Sequence, residues 1–259
     1  MRESVTRSFF TLAYEHLGTL VLLGALRVLP WLLLALALTF LPPGLLPRPA
    51  WLGLLAGLAL LALAVGPWLT GGVYHLAARL ALGESPGWRG ARSGFGRRYG
   101  ALLAWELFQA LLAVVLAHHL LAALRGPGPG PDFADRLALA AGAWILISAR
   151  AWGFSFLPLL AGRGLGLRET ARETLILILG EPRHALGQFA VRQAVVLLLV
   201  LSGVGIVAGL GSLPALHACL SVRAALRRRG RDLVPPGQAP PAGGLPRAEG
   251  WRSFWRPWE

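Results

Sequence analysis

Three charged residues, Arg27, Glu106 and Arg150, stand inside long apolar stretches of the chain. Charged side chains within membrane-spanning segments are rare, and they mark binding sites or pathways by default. At about 1.5 Å per helical residue, each lies roughly 10–15 Å from the same end of its predicted helix. We therefore expect an Arg–Glu–Arg cluster at one depth, in which pairing offsets part of the cost of burying charge. Such a cluster either locks the register of the helices, which is the interpretation we favour, or binds an anionic solute.

Other residue patterns that can bind metals or cofactors do not form a recognisable site in this sequence. His118 and His119 are adjacent, so on a helix their side chains point about 100° apart and cannot form one metal-binding face. Cys219 is the only cysteine, which excludes an intramolecular disulfide and a thiolate metal cage. The glycine-rich run 203–211 lacks the preceding strand and the downstream acid of a dinucleotide site. We expect no catalytic residue, no metal, no cofactor and no enzyme activity.

The composition indicates that lipid is the solvent of most of this chain. Only 14% of the 259 residues are charged and 55% are hydrophobic, whereas soluble domains carry about 25% charged residues. The net charge of +13 comes from arginine without any lysine. Because no soluble basic module is visible, nucleic acid is not an expected partner. Anionic lipid headgroups are expected instead, at about 1 kcal/mol per juxtamembrane arginine.

The apolar stretches predict an all-α, polytopic transmembrane helix bundle of about six helices over residues 17–228. The first four helices are predicted near residues 17–41, 51–82, 99–124 and 136–160. Residues 186–226 fit one long helix or two. The arginines that follow this region favour a cytoplasmic end, which requires an even number of crossings, so we predict two helices. In the second helix, Gly53 and Gly57 form a small-xxx-small pattern that permits close helix packing.

Two basic loops set the predicted orientation. Arginines in short loops concentrate on the cytoplasmic side, and loop 83–98 has four of them against Glu84: Arg89, Arg92, Arg97 and Arg98. Loop 161–190 repeats an Arg-Glu pair at a spacing of four, which predicts a surface helix. We therefore expect both loops and both termini in the cytoplasm.

The two ends of the chain are predicted to lie outside the bundle. Residues 1–16 form an expected interfacial segment, with Phe9, Phe10 and Tyr14 on one face of a short helix. Residues 229–259 form a basic, Pro/Gly-rich tail that we expect to be disordered. The tail is either inert or a headgroup-level lipid anchor, and the anchor residues would be Trp251, Arg252, Trp255, Arg256 and Trp258.

One stretch resembles a known family. Gly66-Pro67, Gly72, Tyr74, Gly83-Glu84 and the Pro-Gly-Trp of 86–88 are similar to the YesL-like family of bacterial membrane proteins of unknown function. The resemblance extends over roughly residues 8–228 and carries over no catalytic residue. It implies an accessory or interaction protein of the bacterial inner membrane, beside a carbohydrate ABC-type importer. For such a role, the two basic loops and the basic tail are the expected docking surface. The alternative is a small solute or anion transporter that uses the intramembrane charges.

Overall fold

The chain is all-helical over the residues that the structure describes. These residues, in a computed structural model, are 5–40, 47–84, 86–96, 98–125, 133–203, 205 and 212–233. No strand occurs among them. In chain order the helices are α1 (Val5–Glu15), α2 (Leu17–Phe40), α3 (Arg48–Ala81), α4 (Gly87–Gly94), α5 (Tyr99–Arg125), α6 (Phe133–Arg163), α7 (Leu167–Gly180), α8 (Pro182–Leu201) and α9 (Leu213–Arg228).

Five helices of the described chain, α2, α3, α5, α6 and α8, are long and apolar enough to cross a membrane. Their apolar side chains face outward: Leu111, Trp144 and Leu197 are 63%, 71% and 58% exposed. Exposed apolar surface on this scale is stable in lipid but not in water. The chain therefore has the helices of a multi-pass membrane protein. Within the described residues of region 186–226 lie parts of α8 and α9. Helix α9 has 16 residues and is not among the five candidates, so a sixth crossing stays a prediction.

The protein core lies at one end of the bundle. Buried side chains come from the start of α2, the C-terminal halves of α3 and α6, the start of α5, and α1 and α9. Leu20, Tyr74, Leu102, Leu159 and Leu216 are each at most 1% exposed. These helices therefore alternate in direction, and their packed ends meet. The same end carries α4, α7 and the last turn of α9, and we call it the basic end.

The two predicted loops contain more regular structure than their sequences indicate. Within 83–98, residues 87–94 form α4, which packs against α3. Within 161–190, α7 is the predicted surface helix, but α8 begins already at Pro182. The boundary of the second loop was therefore wrong: residues 182–190 are helical, and Pro182 stands in the first turn of α8, where its fixed φ favours a helix start.

Two packing expectations are corrected. Phe9 is buried, whereas Phe10 and Tyr14 are 64% and 66% exposed, so the three rings do not share one environment. A Cβ built on Gly53 or Gly57 would meet nothing within 4 Å among the described residues, so this glycine pair does not mediate helix packing there. The close approach on α3 occurs further along the helix, at the residues described below.

Candidate functional site

Two of the three predicted intramembrane charges lie within electrostatic range of each other. Arg150 of α6 lies within electrostatic range of Arg27 of α2. It also lies within range of Arg192 of α8, which the sequence reasoning missed. We call Arg27, Arg150 and Arg192 the arginine cluster. Arg192 stands in an apolar stretch like the other two, so the same rule for intramembrane charges could have found it.

Glu106 of α5 is placed against α3. Its carboxylate accepts a hydrogen bond of 2.6 Å from the Thr70 hydroxyl. A Cβ on Gly66 would lie 2.5 Å from a carboxylate oxygen of Glu106, so the glycine makes the space in which this side chain lies. The described hydrogen bond of Glu106 therefore fixes α5 to α3.

The arginine cluster brings like charges within electrostatic range of one another. Among the residues that the structure describes, neither Arg150 nor Arg192 forms an ion pair. The Arg192 guanidinium carbon lies 5.8 Å from the centroid of the Phe154 ring, which is within cation–π distance. Arg150 is exposed, and Arg27 and Arg192 are half-buried. Like charges in a low-dielectric environment repel each other strongly, so the cluster favours the binding of an anion.

His217 of α9 adds a hydrogen-bonding group beside the cluster. It is 1% exposed, and within the described chain neither ring nitrogen has a hydrogen-bond partner. Its ring packs against Phe9 and Phe154 at centroid distances of 5.6 and 6.0 Å, within electrostatic range of Arg192. A buried polar group without a partner costs about 1–3 kcal/mol. A neutral imidazole always carries one N–H donor, so His217 could donate to a bound anion.

A polar seam runs from the basic end to the cluster. The seam begins at Glu181, the residue before α8, and continues along the face of α8 that carries His184, Gln188 and Arg192. Spacings of three and four place these residues on one side of a helix. Ser221 of α9 lies opposite: its carbonyl oxygen is 3.3 Å from His184 Nε2, and its hydroxyl oxygen is 3.2 Å from Gln188 Oε1. The seam thus connects the surface to the arginine cluster through polar side chains.

The basic end itself is held together by ion pairs. Arginines of α3 and of the α9 end pair there with four acids, which are Glu84, Glu173, Glu181 and Asp232. The hydrogen bond from Arg228 holds the pKa of Glu181 below its ordinary value. Burial alone would raise the pKa of Asp232, but the hydrogen bond from Arg223 keeps it lowered.

The predicted basic loop is only partly described. Arg92 is exposed, and the Arg98 guanidinium donates to the carbonyl oxygen of Gly164. The side chains of Arg89 and Arg97, and the whole tail with its tryptophans, lie outside the described residues. Over the described part of the chain, no three His, Cys, Asp or Glu side chains are arranged to hold a metal ion.

No protein-family model, curated protein or solved structure matches the chain. The resemblance to the YesL-like family accordingly stays a proposal.

Proposed function

We propose that this protein resides in the inner membrane of a bacterium and binds an anionic group of a small solute, such as a carboxylate, phosphate or sulfate, at the arginine cluster. The observation that carries the proposal is the convergence of arginines from α2, α6 and α8 with no described acid paired to Arg150 or Arg192. Removing a charge from water costs several kcal/mol unless a partner compensates for it. A bound anion would supply that partner, with His217 as an additional donor.

The polar seam supports a transport role for the same site. A solute that reaches the cluster must leave water, and hydrogen-bonding groups along the way lower the cost of that step. His184, Gln188 and Ser221 provide such groups between the basic end and Arg192. We propose a binding or transport role rather than a catalytic one.

The proposed topology has six crossings with both termini in the cytoplasm. Support comes from the C-terminal end of α9: Arg223 donates to the carbonyl oxygen of Ala81 at the end of α3, and Arg231 pairs with Glu173 of α7 at 3.0 Å. Arginine-rich segments far apart in sequence thus share the basic end. Arginines near the ends of membrane helices favour the cytoplasmic side, so α9 would be the sixth crossing.

Thermal unfolding in mild detergent tests the anion site. Wild-type protein is titrated with phosphate, sulfate or citrate at constant ionic strength, with chloride as the reference. A ligand at 100 times its Kd stabilises the folded state by about 2.7 kcal/mol, so the Tm should rise. Arg150→Gln and Arg192→Gln should lose this rise, whereas Arg172→Gln, an exposed residue of α7, should keep it. Equal shifts in wild type and Arg192→Gln would contradict the proposal.

Flux into liposomes separates binding from transport. Purified protein is reconstituted, and uptake of the anion that gave the largest Tm shift is measured. Uptake in wild type that is lost in Arg150→Ala and kept in Arg172→Gln supports transport. Binding without uptake in wild type would leave an anion-binding protein and remove the transport role.

A second candidate is the accessory role beside an ABC-type importer. It rests on the resemblance described above and on exposed arginines of α4 and α7 at the basic end, Arg92, Arg168 and Arg172. Such a surface would suit an acidic face of a permease or ATPase, because complementary charge steers association. Purification in mild detergent followed by mass spectrometry tests this role. A permease or ATPase should co-purify with wild type and be lost from Arg168→Glu/Arg172→Glu. Its retention by that variant would exclude α7 as the docking surface.

A further inference from the structure

A second candidate site lies on the outside of the bundle, between α2, α3 and α4. It is a groove of about 340 Å³ whose lining side chains are all apolar or aromatic. Leu29 and Leu33 of α2 and Leu61 of α3 are among them. Its volume falls within the range of about 300–1,000 Å³ that is usual for small-molecule sites.

Aromatic rings form one end of this groove. Phe95 stacks on Trp68 with ring centroids 4.3 Å apart, and Trp88 meets Phe95 edge-on at 5.9 Å. A Cβ on Gly72 would lie 2.0 Å from a ring carbon of Phe95. The ring therefore fits into a notch that only glycine leaves open, so this end of the groove is a packed part of the fold.

The groove opens toward the surface that faces lipid. Its α2 and α3 walls belong to helices that are candidate membrane spans. Leu29, Leu33, Leu61 and Trp68 are 46%, 41%, 46% and 43% exposed, so each wall is partly open. In a bilayer such a surface is in contact with acyl chains, and tryptophan prefers the headgroup level.

Arg92 places a positive charge at the aromatic end. Trp88 and Arg92 are four residues apart, which puts them on one face of α4, and Phe95 follows directly after the end of that helix. The edge-on contact of Trp88 with Phe95 agrees with that placement. Arg92 is exposed and has no ion pair with any described residue. A phosphate at headgroup level beside the two rings would therefore meet a guanidinium group.

We propose that the groove holds one acyl chain of an anionic phospholipid, with its phosphate on Arg92. This site is independent of the arginine cluster. On α2 the groove side chains include Leu26 and Leu29, and Arg27 is turned about 100° away from Leu26 by helix geometry. The apolar walls recognise the chain, and the cation selects the charge of the headgroup.

Native mass spectrometry of delipidated protein tests the proposal. Phosphatidylglycerol and phosphatidylcholine with identical chains are titrated separately, and the number of bound lipids is counted. Wild type should retain phosphatidylglycerol about fivefold more strongly, the preference that one arginine contact gives. Arg92→Gln should remove this preference, whereas Arg172→Gln should keep it. Inorganic phosphate in excess should not displace the lipid, since the acyl chain provides part of the affinity.

Filling the groove tests the acyl-chain contact separately. Leu33→Trp should weaken the binding of both lipids several-fold. Leu197→Trp, on the exposed face of α8, should leave the binding of both lipids unchanged. Equal retention of the two lipids by wild type would overturn the proposal, and so would unchanged binding to a folded Leu33→Trp. If Leu33→Trp does not fold, Arg92→Gln decides alone, because an exposed side chain can be replaced without disturbing the fold. Displacement by phosphate would show an anion site without a lipid chain and would also overturn it.

Discussion

Replacement of Gly72 by alanine tests how α4 is packed against α3. The new Cβ would lie 2.0 and 2.1 Å from two ring carbons of Phe95 and 3.2 Å from the carbonyl oxygen of Ala91. Phe95 cannot easily move away, because its ring stacks on Trp68 on one side and meets Trp88 on the other. Overpacking of this kind costs about 1–3 kcal/mol. Alanine in a helix gains about 0.5–1 kcal/mol over glycine, so we expect a net loss of about 1–2 kcal/mol.

The assay is equilibrium unfolding in mixed detergent micelles, in which a denaturing detergent replaces a mild one. Gly57→Ala is the matched control, because it lies on the same helix and a Cβ there meets nothing within 4 Å of the described structure. It should be neutral or slightly stabilising. Phe95→Leu removes the ring, so the combined variant Gly72→Ala/Phe95→Leu should be more stable than the sum of the single changes predicts. Equal stability of Gly72→Ala and Gly57→Ala, or additivity in the double-mutant cycle, would refute this packing of α4.

Three further predictions concern the ends and the interior of the bundle. The pKa of Glu181 is lowered, chiefly by the hydrogen bond from Arg228. The ionised Glu181 carboxylate therefore stabilises the fold above its unfolded pKa of about 4.3. This stabilisation is lost as pH falls through the lower folded pKa. Glu181→Gln should therefore cost at most about 1 kcal/mol at neutral pH and flatten the loss of stability toward acid pH; an unchanged pH profile of unfolding would contradict this. Thr70→Val removes the hydrogen bond to Glu106 and should cost about 1.5–3 kcal/mol in the same unfolding assay, and a wild-type midpoint would exclude this bond. A phosphatase that is active only outside the cytoplasm should stay inactive when fused after Arg231, and activity would refute the six-crossing topology.

The membrane helices are largely predictable from the sequence because their apolar stretches are long. The helix expected at 99–124 is observed at Tyr99–Arg125, and the one expected at 17–41 at Leu17–Phe40. Helix α4, by contrast, is not predictable from its sequence, because three of its eight residues are glycine. Glycine destabilises an isolated helix by about 1 kcal/mol, and short helices form mainly through tertiary packing. That packing is long-range information, so the local sequence indicated only a loop.

The candidate site is predictable only in its charged members. Arg27 and Arg150 are recognised because a charge in an apolar stretch is conspicuous, and Arg192 satisfies the same criterion. The partner of Glu106 is a neutral threonine in another helix, and nothing in the sequence distinguishes Thr70 from other threonines. His217 has no hydrogen-bond partner in the described chain because aromatic rings of α1 and α6 pack around it. Such contacts are visible only once the helices are packed.

The two environments of arginine in this protein support the proposed anion site. At the basic end, Glu84, Glu173, Glu181 and Asp232 each pair with arginine, although an exposed ion pair contributes only about 0–1 kcal/mol. Around Arg150 and Arg192, where a compensating charge would be worth far more, the described chain supplies no carboxylate. Folding alone would favour a neutral residue or a buried acid at these positions. A negative charge from outside the chain would lower the free-energy cost of keeping these arginines in the bundle. A reversibly bound anion would supply that charge.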